Sequence, residues 1–219
     1  MAYWLLTTHC FAFFPMGIFL WSWKRRKDPT SIFMLIKFIY LVTYSLLYHS
    51  HHSLGDGKFT SEYDYDNWAL LDGYSCSSLI FTTVLYCLRV REPQFYISSY
   101  TVESLILVIF LWKNLAQELI ITWYLTICSL VVCILKWKTI WRYLIKFKII
   151  SFFTILCGII AIIMYTIARS EWYNQEYIKY HSLWHCFIFS TSGLGALLRY
   201  KLDEELYPIV NRRHQLDSI

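Results

Sequence analysis

Seven long apolar runs dominate this chain, and their number and spacing leave few folds open. They cover approximately residues 2–23, 31–49, 67–88, 95–112, 117–135, 147–168 and 178–199. A helix needs about 20 mostly apolar residues to cross the hydrocarbon core of a bilayer. Several neighbouring runs are joined by only a few residues, which leaves no room for a soluble domain that would bury them. Composition agrees: 57% of the 219 residues are apolar and 16% charged, against roughly 25% charged in soluble domains. The expected fold is all-α, a polytopic membrane protein with a seven-helix domain over 1–200 and a cytoplasmic tail over 201–219. The tail mixes charges without strong apolar periodicity and is expected to be partly disordered.

The first run is not read as a cleaved secretory signal. Such a signal carries its positive charge before the apolar stretch, whereas Met1 to Trp23 has no Lys or Arg and Lys24, Arg25, Arg26 and Lys27 follow it. Loop charge then sets the orientation, because Lys and Arg in short loops stay on the cytoplasmic side. Basic loops follow the first, third, fifth and seventh runs: Lys24–Lys27; Arg89 and Arg91; Lys136, Lys138, Arg142, Lys146 and Lys148; and Lys201, Arg212 and Arg213. The intervening loops are acidic or nearly neutral, with Asp56, Glu62, Asp64 and Asp66 in one and Glu171 and Glu176 in another. The N-terminus is therefore expected outside and the C-terminus in the cytoplasm. A net charge of +5 is explained by an anionic inner leaflet and calls for no nucleic-acid partner.

The seven cysteines all fall within the runs, not in outer loops where a disulfide framework would lie; they read as small packing residues. Gly193 and Gly195 in the last run permit close helix approach, and the Gly55-Asp56-Gly57 segment signals a turn in the longest outer loop.

Ionisable groups at membrane depth are costly, roughly 2.5 kcal/mol or more on insertion scales, so each calls for a reason. Three places stand out. The second run ends in Ser45-Leu46-Leu47-Tyr48-His49, the third carries Asp72 near its start, and the seventh carries His181-Ser182-Leu183-Trp184-His185. Residues four apart share a helix face, which pairs His181 with His185 and Ser45 with His49. With the orientation above, all three places lie within about 10 Å of the outer ends of their helices, at 1.5 Å per residue. Three neutral imidazoles beside a carboxylate suit zinc, with His49, His181 and His185 as ligands. Asp72 is then a fourth ligand or a base acting on zinc-bound water, and Ser45 orients that group or anchors a substrate. His51 and His52 are alternatives to His49, while His9 and His214 read as isolated polar caps.

Ser-x-x-x-His near the end of helix two, Asp in helix three and His-x-x-x-His in helix seven resemble the signature of a superfamily. It contains the alkaline ceramidases, the adiponectin-type receptors and the transmembrane protein 8 proteins. The absence of a large outer module, Tyr65-Asp66 at the start of the third run, Arg91-Glu92-Pro93 after it and Tyr180-His181-Ser182 before Trp184-His185-Cys186 are similar to the short myomaker-type branch. That resemblance implies a multi-pass plasma-membrane protein promoting cell–cell fusion of myoblasts, with bound zinc. It covers most of the chain, although vertebrate members have a cysteine-rich tail and no cysteine follows Cys186 here. Expected partners are membrane lipids and a protein on the fusing cell, and helix faces rich in small and aromatic residues permit a homodimer. The rival expectation is a zinc-dependent lipid amide or ester hydrolase with Asp72 and Ser45 as catalytic residues. A signalling receptor ranks last, because Leu88-Arg89-Val90-Arg91 lacks the acidic-Arg-aromatic box of rhodopsin-like receptors.

Overall fold

The computed structural model describes the backbone of residues 6–54, 62–111, 117–170 and 176–216, and among these every regular element is helical. A short 3-10 segment, Thr8–Ala12, leads into α1 (Phe13–Arg26). There follow α2 (Pro29–Leu54), α3 (Glu62–Cys87), α4 (Gln94–Leu111), α5 (Gln117–Leu135), α6 (Trp137–Lys146), α7 (Lys148–Ser170) and α8 (Glu176–Leu216). The all-α expectation is borne out, and the described part of each apolar run is almost wholly helical. The Gly55-Asp56-Gly57 turn and the side chains of His51, His52, Asp56, Glu62, Asp64, Asp66, Glu171 and His214 lie outside the described residues.

Among the described residues, two helices are long and apolar enough by themselves to cross a membrane: Pro29–Ser50, with mean hydropathy 1.7, and Lys148–Ser170, with 2.4. Trp123–Leu135 and Trp137–Lys146 make a third if the pair, bent by 73°, counts as one span. α3 and α8 are as long, but Asp72, the serines and the histidines along them lower their hydropathy.

The distribution of polarity inside the bundle fits lipid surroundings. Only 11% of the apolar stretch of α7 is buried, and Ile134, Leu135, Ile149 and Ile162 face outward. Ser31, Ser45, Ser78, Thr82, Ser99 and Ser151 are buried instead. In water an apolar exterior of this extent is a liability. In a bilayer, helices associate through small residues and hydrogen-bonding side chains, since tails are as apolar as leucine.

α3 is central and touches α2, α4, α5 and α8, while α8 also packs along α7 and α1. The glycine pair expected to allow close approach does so. A Cβ on Gly195 would meet Cys87 Sγ at 2.7 Å, and one on Gly193 would run into the ring of Phe14.

Two ionisable residues that the sequence reading passes over cross-link the middle of the bundle. Lys37 of α2 pairs with Glu103 of α4, and its ammonium also donates to Ser78 Oγ (2.6 Å) and Thr82 Oγ1 (3.1 Å) of α3. Ser99 donates to the same Glu103 carboxylate. At the basic end, Arg199 lies 3.9 Å over the Tyr86 ring and bonds Asp28 Oδ2 at 2.9 Å, and Asp203 pairs with Arg26, Arg89 and Arg199. These contacts reach the start of the segment assigned to the tail; the side chains from 207 onward lie outside the described residues. Leu202 is buried and Asp203 is held by three arginines, so α8 runs without a break into the segment assigned to the tail.

Candidate metal centre

The site begins with a local irregularity. Proline has no N–H to bond the carbonyl four residues earlier, and ahead of Pro15 the chain winds as the tighter 3-10 segment Thr8–Ala12. This segment packs on α8 and α2, which carries His9 into the bundle. His9 is buried; it is not the isolated polar cap expected from the sequence.

His9, His49 of α2 and His185 of α8 are all buried and offer nitrogens that lie within 4.8 Å of one another. The ring centroids of His9 and His185 are 4.5 Å apart, those of His49 and His185 5.3 Å. His181 stands on the other side, its centroid 5.0 Å from His49, with Nε2 3.1 Å from His185 Nε2. The one-turn spacing of the pair on α8 therefore produces the contact expected of it. Two nitrogens each about 2.0–2.1 Å from a tetrahedral metal stand roughly 3.3 Å apart, so the nitrogens of His9, His49 and His185 need only small shifts to reach one ion. His185 Nδ1 is buried without a hydrogen-bond partner, a donor set that suits zinc, copper, iron or nickel. Three buried histidines thus lie close enough to bind a metal.

Ser45, one turn below His49, does what its spacing suggested, but toward other partners. Its hydroxyl bonds the Asp72 carboxylate, and His9 Nε2 lies 2.9 Å from Ser45 Oγ. The direction of the His9–Ser45 hydrogen bond follows the tautomer of His9. Asp72 is thus brought to the histidines through Ser45.

A small cavity beside the histidines runs between α2, α3 and α8. Asp72, Ser45 and His185 line it together with apolar residues such as Phe38, Leu79 and Ile188. Tyr177 and Trp184 stack around His181, at centroid distances of 4.9 and 5.0 Å, and shield that side.

The structure thus brings together all five expected residues, Ser45, His49, Asp72, His181 and His185, and adds His9. A signal for His9 existed. It lies a few residues into its run, as Asp72 and His181 do in theirs, but a single histidine without a helical partner carries little signal by itself. Comparison with protein-family models, curated proteins and solved structures found no match.

Proposed function

We propose that this chain is a seven-span plasma-membrane protein of the myomaker kind, promoting fusion of opposed cell membranes and holding zinc near its outer surface. The observation that carries this reading is the crowding of imidazoles at one point: His9, His49 and His185 converge, with His181 in contact with His185. Structural zinc sites close their shell with protein ligands, whereas catalytic ones keep a position for water. His9, His49 and His185 would hold the metal, with His181 within reach as a fourth ligand. Bound there, zinc would tie the 3-10 segment, α2 and α8 into one rigid outer end. The order of the motifs along the chain supports the fusion role. Membrane lipids, a second copy and a protein on the opposed cell are the partners this reading requires.

A second reading, a zinc-dependent lipid hydrolase, is favoured by the cavity. Asp72, Ser45 and His185 line it among apolar side chains, which puts a carboxylate and a hydroxyl beside the proposed metal ligands. The metal would supply Lewis acidity. Asp72 would hold and return a proton, and Ser45 would fix the carboxylate.

Asp72→Asn separates the two, since asparagine keeps an oxygen for Ser45 and removes the proton-carrying group. On the fusion reading, the variant reaches the cell surface, keeps its zinc and retains most fusion activity between expressing cells. On the hydrolase reading, fatty-acid release from ceramide or phospholipid by the purified protein falls roughly 10²–10⁴-fold. A zinc-loaded, normally trafficked variant that fails to fuse cells overturns the purely structural role of the metal.

A further inference from the structure

Helix α6 is the one described helix that the apolar runs did not anticipate. Its ten residues read Trp-Lys-Thr-Ile-Trp-Arg-Tyr-Leu-Ile-Lys. At 3.6 residues per turn, Trp137, Ile140, Trp141, Leu144 and Ile145 gather on one face and Lys138, Arg142 and Lys146 on the other. The axis turns by 73° from the preceding stretch Trp123–Leu135. Three cations on so short a helix do not belong in hydrocarbon. A helix that turns aside at the end of an apolar one, with its charges segregated, belongs along the surface.

Its pose is anchored from one edge. Tyr143 is buried against Leu198 and Leu202 of α8, and its hydroxyl donates to the Cys87 carbonyl at the end of α3 at 2.6 Å. Ser151 Oγ donates to the Tyr143 carbonyl at 2.9 Å, and Lys146 pairs with Glu205. This anchoring leaves the apolar face uncovered, with Trp137 56%, Trp141 54% and Ile145 51% exposed.

We propose that α6 is a lipid-docking helix seated in the headgroup region of the cytoplasmic leaflet and selective for anionic lipid. Charge complementarity identifies the occupant: α6 has three exposed cations and no acid, and Lys136 and Lys148 flank it. Tryptophan rings suit the headgroup level, and such helices lie about 5–10 Å into the boundary. A symmetric contact between two copies would bring this same cationic patch toward its twin, which disfavours a second chain as the cover. The inference rests on the membrane-embedded reading with this end cytoplasmic, and on neither zinc nor fusion. A helix wedged into one leaflet displaces headgroups on that side only, a plausible physical contribution to membrane remodelling.

The test uses the full chain reconstituted at one copy per nanodisc, in phosphatidylcholine alone or mixed with phosphatidylserine. Subtracting the emission of Trp137→Phe/Trp141→Phe from that of the unaltered protein isolates the two indoles. Lipids brominated near the top of the acyl chain should quench this difference signal, and aqueous acrylamide should not. Phosphatidylserine should raise the thermal midpoint, an effect lost in Lys138→Gln/Arg142→Gln/Lys146→Gln, kept in Lys138→Arg/Lys146→Arg, and weakened by salt. Quenching by acrylamide alone, or equal midpoints in the two lipids, would overturn the proposal. Shielding that arises only with two copies per disc would assign the face to a second chain instead. Protein that fails to insert into bilayers at all would remove the membrane reading beneath it.

Discussion

Four imidazoles converge at one end of the bundle, and their positions divide them between two alternative ligand sets. His49 and His185 belong to both; His9 completes one and His181 the other. The structure favours His9, because its nitrogen lies with those of His49 and His185 inside 4.8 Å and Ser45 orients its ring. Purified protein should therefore carry about one zinc per chain, measured by elemental mass spectrometry. His9→Ala, His49→Ala and His185→Ala should each remove it, whereas His181→Ala should retain it at reduced affinity. Because the metal would join three elements, a chelator should lower the thermal midpoint of the unaltered protein and leave that of His185→Ala unmoved. Loss of zinc from His181→Ala together with full retention in His9→Ala would restore the set His49, His181 and His185 expected from sequence.

Between the metal centre and the basic end, α2, α3 and α4 are held together by Lys37, Glu103 and three hydroxyls. Their ionic partners sit away from water, with side-chain exposures of 13% and 11%. A buried pair is weak evidence of net stability, but removing one member leaves the other uncompensated and costs about 3–5 kcal/mol. Lys37→Met and Glu103→Gln should each lose stability on that scale in denaturant titrations of the detergent-solubilised protein. Lys37→Met/Glu103→Leu should lose clearly less than the sum, with a coupling energy of about 0.5–3 kcal/mol. Additive losses would show that the two side chains act separately. Gly195, by contrast, acts through absence, since any side chain there would meet Cys87 Sγ and force it to move.

At the scale of the molecule, the basic cluster of Arg26, Arg89, Arg199, Asp28 and Asp203 lies at one end and the histidines at the other. The proposed orientation puts the arginines in the cytoplasm. An epitope inserted before Tyr3 should label on intact cells, and one after Asp217 only after permeabilisation; the reverse pattern would turn the molecule over and place the metal centre inside. The helical class and the approximate position of each long helix were legible in the linear order of residues, because an apolar stretch of bilayer length has few ways to satisfy its backbone except as a helix. The pairing of His181 with His185 was legible too, since residues four apart meet on any helix. The entry of His9, the bond of Ser45 to Asp72, the meeting of Lys37 with Glu103 and the turn of α6 were decided only by tertiary structure. Each depends on which helix stands beside which, at what height and in what rotation. Those relations come from packing between residues far apart in the chain, and local periodicity carries no record of them.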